Sequence, residues 1–305
     1  MAGTDTNPID PVSGVTSRPV VPAAERTTIT FESLPVVGVF PESPRGLVFV
    51  FHGSGGSEKI VDQVETTDVL NHVEAAGFAW VATASADRDG GRAWNLVSDD
   101  PSVNPDLGRM ARLHRALVES GRIAADLPIH GLGMSNGARF TGLWAHVMRS
   151  EGLPVRSAVM VMGTVDPHID RFVVPTLFVT AVNDDRVSPS RIASQFEEAR
   201  ASGTDVRLLT LRQRPVSQSR FTRIPGIDLI TSKKIFSGLS TAQFIDGTGQ
   251  LLRQPDRVAG VVRGLDIELT ASQRREVINQ ISADLAMHQL NAVIAPDIVE
   301  WLSRR

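Results

Sequence analysis

The 305-residue chain has no cysteine and no tyrosine. The first absence excludes disulfides, thiolate metal sites and a cysteine nucleophile together. The second removes the phenol that can serve as an oxyanion donor. No run approaches the roughly 18 apolar residues needed to span a bilayer, so no membrane-spanning helix is expected. An excess of charge is lacking too: 31 basic and 34 acidic side chains leave a formal charge of -3, and no global field recruits nucleic acid or an anionic membrane. What the chain does have is 42% hydrophobic residues, enough to bury a large core as one large domain or two.

Residues 1–27, rich in Pro, Thr and Ser, lack the basic start and apolar run of a secretion signal and read as a mobile tail. The compartment stays open: cytoplasmic, or secreted if a signal peptide has been removed. Over 28–212, short apolar runs alternate with amphipathic stretches, the pattern of a mostly parallel sheet flanked by helices. "GLVFVFHG" reads as a buried strand, and "SEKIVDQVETTDVLNHVEAAG" as one helix capped by Ser57. "TTITFES" and "VVGVFP" precede them as a hairpin. Past Arg212 the alternation breaks. Residues 213–282 read as an insertion or cap before the final part of the core, 283–305, and "ASQRREVINQISADLAMHQLNAVIAPDIVEWLSRR" carries a long helical pattern around Pro296.

Gly133-Met134-Ser135-Asn136-Gly137 is G-x-S-x-G, placed between a buried strand and a helix. A serine on such a turn is held in a strained conformation with its hydroxyl above the sheet, and small residues two positions either side let backbone approach. The Asn136 N–H and the helix N-terminus favour an oxyanion at the same spot. An earlier strand ends in His52-Gly53-Ser54-Gly55-Gly56. This loop can offer a second amide, from Ser54 or Gly55, to that oxyanion. No Lys-Ser/Thr pair follows it in the manner of a phosphate-binding loop.

A serine hydroxyl needs a base, and the base an orienting carboxylate, in the chain order serine, acid, histidine for folds of this kind. "LFVTAVNDDRVSP" puts Asp184 at a strand end, with Asp185 and, one strand earlier, Asp166 as rivals. Of seven histidines only His288 follows Asp184, so chain order selects it. A helical histidine packed on a core face remains the other reading of His288, and His168 would demand a different order. Trp94 and Met134 are candidate pocket walls, with core packing an equal reading of each. Phe236 and Phe244 of the insertion are candidates for a lid over the substrate.

The motif "GMSNGARF", with "FHGSGGS", "RAWN" and "NDDRVSP", resembles the elbow, oxyanion loop, Trp-containing loop and acid loop of the polyhydroxybutyrate depolymerase and feruloyl esterase-like branch of the α/β-hydrolase superfamily, over about residues 47–212. That resemblance implies an α/β-hydrolase fold and serine hydrolysis of carboxylic esters. With the cap-like insertion, the chain reads as a cofactor-free hydrolase of esters, small or polymeric, polyesters and aromatic esters included. The chain departs from the group in lacking cysteines, in its long insertion and in "AMHQLN" around the histidine.

Two features point elsewhere. "RIPGIDLITSKKIF" resembles the hairpin of DNA-binding helix-hairpin-helix modules, but Asp228 puts a negative charge where a phosphate would come, so no nucleic-acid partner is expected. Arg253, Arg257, Arg263, Arg274 and Arg275 read as a solvated face. No second ligand stands at metal spacing from His52, and no metal is expected.

Overall fold

The computed structural model describes residues 25–165, 169, 172–253 and 257–305. Eight strands form one sheet in the order β1-β2-β4-β3-β5-β6-β7-β8. The hairpin of β1 (Thr27–Phe31) and β2 (Leu34–Val39) pairs antiparallel onto β4 (Ala79–Thr83). All other pairings are parallel: β3 (Leu47–Phe51), β5 (Ile129–Met134), β6 (Val155–Val161), β7 (Thr176–Ala181) and β8 (Val206–Leu211). Parallel strands need helical crossovers that cover both faces, which is why β3, β4 and β7 are buried at every position. Helices α1 (Val64–Ala75) and α8 (Ala295–Ser303) cover one face through a cluster that includes Val69, Leu70, Val73, Ile298 and Trp301. Helices α2 (Pro105–Glu119) and α3 (Asn136–Ser150) cover the other through Leu107, Leu113, Phe140 and Trp144. Strand order, crossovers and the serine turn between β5 and α3 make this an α/β-hydrolase fold.

Local chemistry explains the helix starts. Asn104 accepts the Asp106 and Leu107 N–H groups ahead of Pro105, whose missing N–H costs nothing in a first turn. The stretch after Ser57, expected as one helix, is two elements. Ser57 caps a short 3-10 turn, Glu58–Asp62, and extended Gln63 (ψ 135°) separates it from α1.

Beyond α4 (Pro189–Ala201) and β8, the chain builds α5 (Leu229–Thr241), α6 (Val258–Arg263) and α7 (Ala271–Asp284). These share an apolar cluster with Phe221, Phe236, Leu239, Phe244 and Ile281, joined by Val64 of α1. A buried ion cluster fastens this segment to the core: the Arg220 guanidinium lies 2.9 Å from Glu65 of α1 and 2.7 Å from Asp284, and Arg223 lies 2.8 Å from Glu65.

The helical pattern around His288 is not one helix. It ends at Asp284, with Ala286 in the left-handed region (φ 51°), and resumes at Ala295. The break is tertiary in origin. Asn183, at the end of β7, donates its side-chain amide to the Leu285 carbonyl (2.7 Å) and its main-chain N–H to the Ala286 carbonyl (2.9 Å). Carbonyls at the helix end thereby find partners outside the helix.

Candidate active site

Ser135 is the residue between β5 and α3, with φ 58° and ψ -122°. Few non-glycine residues tolerate that conformation, and such strain persists only where the surroundings over-determine it. Here they do. The Ser135 N–H donates to the Val161 carbonyl at 2.9 Å. A Cβ at Gly133 would come within 2.2 Å of the Gly137 carbonyl oxygen, and one at Gly137 within 2.3 Å of the Phe51 carbonyl oxygen. Only glycine at both positions lets β5, α3 and β3 converge. The Ser135 side chain makes no capping bond to its own helix, which leaves Oγ free at the positive end of α3.

The glycine-rich loop after β3 passes directly over the serine: a Cβ built on Gly53 would lie 3.3 Å from the Ser135 Cβ. Its shape is fixed by His52. Buried at 1% exposure, His52 accepts the Ser85 N–H at Nε2 (3.0 Å), so Nδ1 carries the proton and donates it to the Gly53 carbonyl (2.7 Å). Burial holds this imidazole neutral, with its pKa lowered to about 4. Gly56 N–H donates to the same Gly53 carbonyl at 3.1 Å. In a trans peptide the carbonyl and the following N–H point in opposite directions, so pinning the Gly53 oxygen fixes the direction of the Ser54 N–H. The Gly55 N–H is consumed by the Gly91 and Arg92 carbonyls, at 2.9 and 3.2 Å. Of the two loop amides considered, Ser54 keeps its N–H free among the described residues, as Asn136 does at the first position of α3.

Trp94 braces the two halves of this arrangement. Its main-chain N–H donates to Asn136 Oδ1 at 2.7 Å, its indole N–H donates to the His52 carbonyl at 2.9 Å, and its ring stacks on Phe140 at 4.6 Å. At 2% exposure it is a core residue, the second of the two readings the sequence left open, and it is not among the residues that line the cavity. The loop carrying it is held by buried Asp106, which accepts the Ala86 and Asn95 N–H groups at 2.6 and 2.7 Å.

Asp184 follows β7 with its side chain fully buried, and His288 Nδ1 lies 2.9 Å from both carboxylate oxygens. Two amides, of Arg186 and Val187, donate to Oδ1 at 2.9 Å each. Burial pushes the Asp184 carboxyl up, but the hydrogen bonds from His288, Val187 and Arg186 together hold it below the usual carboxylate range. An ionised Asp184 keeps the proton on Nδ1 and leaves the lone pair on Nε2. Buried Nε2 has no hydrogen-bond partner among the described residues, and His288 lines the same cavity as Ser135. The rival Asp185 is exposed. Asp166 and His168 lie outside the described residues.

The cavity, of about 690 Å³, is bounded by the glycine-rich loop, Met134, Ser135, His288 and one face of α7. Phe236 and Phe244 do not line it. They are buried in the insertion's own cluster, at 6% and 0% exposure, because α5 and α7 need an apolar interface of their own. The face that α7 turns to the cavity is polar: Ser272, Arg275, Glu276 and Asn279. Arg275, read from the sequence as a solvated face, therefore stands at the site, while Arg274 turns away and donates to the Val262 carbonyl at 2.8 Å.

Sequence reasoning missed two supporting residues. His52 was visible as the histidine before a glycine at a strand end, a position whose main use here is to hold the loop. Asn183 carried no signal, since its partners come from 102 residues away. No helix is long and apolar enough to cross a membrane among the described residues, which also contain no cluster of three or more metal-ligating side chains.

No protein-family model and no curated protein matches the chain. Solved structures do resemble it. A carboxylesterase from Mesorhizobium loti is 17% identical, covers 70% of this chain and 99% of its own, and superposes with a TM-score of 0.46. The Bacillus cereus carboxylesterase is 14% identical over 59% of this chain and 85% of its own, with a TM-score of 0.45. An alpha-beta serine hydrolase homologue from Coxiella burnetii is 15% identical over 63% and 88%, with a TM-score of 0.45.

Proposed function

We propose that the protein is a serine hydrolase that cleaves carboxylic esters through an acyl-enzyme. The observation that carries this reading is the His288 imidazole, bound through Nδ1 to buried Asp184, with its buried Nε2 unpartnered among the described residues, in the wall of the cavity that the strained Ser135 also lines. Nε2 takes the hydroxyl proton as Ser135 Oγ attacks the acyl carbon, and Asp184 compensates the imidazolium. The Ser54 and Asn136 N–H groups receive the oxyanion; one such donor contributes about 3 kcal/mol of transition-state stabilisation. Nε2 then returns the proton to the leaving alcohol, the acyl group stays on Oγ, and a water activated by the same nitrogen releases the acid and restores the serine.

Hydrolysis of 4-nitrophenyl acetate tests this reading: turnover by the protein, and background rates with Ser135→Ala, are expected. Equal rates for the two proteins would overturn the reading.

A further inference from the structure

The cavity wall departs from the lid the sequence led us to expect, and its charges are unevenly satisfied. Among the described residues, its only large apolar side chains are Ile60 and Met134. Of its two carboxylates, Asp62 is paired with Arg26 at 2.6 Å, and Glu276 is occupied by the Val64 N–H at 3.1 Å and the Asn279 amide at 3.2 Å. Its three cations, Lys59, Arg186 and Arg275, have no side-chain hydrogen bond or ion pair among the described residues. This local excess of positive charge runs against a chain whose formal net charge is -3.

The three cations come from separate elements: Lys59 from the turn after the glycine-rich loop, Arg186 from the acid loop, and Arg275 from α7 of the insertion. Guanidinium groups lining one cleft recognise a carboxylate through charge-assisted, often bidentate hydrogen bonds. Low-dielectric walls also focus their field and raise the local concentration of an anionic substrate.

We infer that the substrate is an ester bearing a carboxylate, seated against Arg275 and Arg186 while its ester carbonyl lies at Ser135. This inference rests on the ester-hydrolase reading above. Lys59 adds to the attraction from the rim. The insertion then selects substrates by charge, through the polar face of α7, and its phenylalanines hold that helix in place.

Matched ester pairs test the inference. On the acyl side, 4-nitrophenyl hydrogen adipate is compared with 4-nitrophenyl hexanoate; on the alcohol side, 4-acetoxybenzoate is compared with 4-acetoxybenzamide. In at least one pair kcat/KM should favour the anion by about tenfold or more, the worth of one hydrogen bond to a charged group. That ratio should drop by about tenfold in Arg275→Gln or Arg186→Gln, and further in the double variant. It should also shrink at about 0.5 M salt, since the charges are exposed. Whichever pair shows the preference tells which side of the ester bears the carboxylate. Ratios near one in both pairs, or a preference unchanged in the double variant, would overturn the inference while ester hydrolysis stood. Failure to turn over any of the four esters, or 4-nitrophenyl acetate, would instead overturn the ester-hydrolase reading itself.

Discussion

Asn183 and Leu285 are joined by a 2.7 Å hydrogen bond from the asparagine amide to the leucine carbonyl, across 102 residues of sequence. Asn183 immediately precedes Asp184, and Leu285 lies three positions before His288, so the bond ties the loop of Asp184 to that of His288, the proposed acid and base. It acts through Asp184 and His288 rather than on substrate. Asn183→Ala should therefore lower kcat by about tenfold to a hundredfold, the scale of a misplacement near 1 Å, with little change in KM. Circular dichroism should show a folded protein. A loss confined to thermal stability, with kcat intact, would make Asn183 a purely structural residue.

His52 should matter through the oxyanion. His52→Ala removes the shorter of the two hydrogen bonds on the Gly53 carbonyl, leaving only that of the Gly56 N–H, and so loosens the direction of the Ser54 N–H. The loss expected is about a hundredfold in kcat, close to that for an oxyanion donor, with KM moving much less. A change in KM alone would mean that the loop binds substrate without serving the transition state.

The strain at Ser135 gives a prediction independent of activity. At φ 58° and ψ -122° a glycine is at ease and an alanine is not. Both Ser135→Gly and Ser135→Ala should be inactive, yet the glycine variant should be the more stable by about 1 kcal/mol in urea denaturation, the relief of strain outweighing glycine's greater unfolded freedom. Equal stabilities would argue that the turn is relaxed.

The phenylalanines of the insertion should affect stability and not selectivity. Phe244 has no exposed surface. Phe244→Ala should cost about 3–5 kcal/mol if its cavity does not collapse. The rank order of acetate, butyrate and hexanoate esters should stay as in the parent protein. A reordered profile would return Phe244 to the substrate's surroundings.

Buried histidines set part of the acid sensitivity. Burial lowers His130 to about 4 from an ordinary value of 6.5, with the charge of Arg156 adding to it. Between those values the unfolded chain binds a proton at this site that the folded chain does not. The site's contribution therefore falls as pH drops from 6.5 towards 4, by about 1.4 kcal/mol per pH unit. The 2.8 Å bond to Ser157 is made by Nδ1, whose place an asparagine amide can take. His130→Asn should flatten the pH dependence of the urea-derived stability by about that slope in this window. Parallel curves would show that His130 is protonated as freely folded as unfolded.

How far these features could be read from the chain depends on the range of the interactions behind them. The elbow at Ser135 is written in neighbouring residues, so local pattern was enough. So was the parallel sheet, because β3, β4 and β7 are buried on both sides and read as unbroken apolar runs. The end of α7 at Asp284 was not legible, since helix-forming residues continue to Met287 and the stop comes from Asn183 on another element. The place of Trp94 was hidden for a similar reason. An isolated tryptophan looks the same whether it lines a pocket or, as here, bonds to Asn136 and the His52 carbonyl.

Covalent labelling most directly tests the central claim, that His288 and Asp184 activate Ser135. The protein would be treated with a fluorophosphonate and its peptides mapped by mass spectrometry, with His288→Ala and Asp184→Asn labelled in parallel. The account predicts a single adduct on Ser135, forming orders of magnitude more slowly in both variants. An adduct elsewhere that persists in Ser135→Ala, or a Ser135 adduct that forms at the parent rate in His288→Ala, would contradict it.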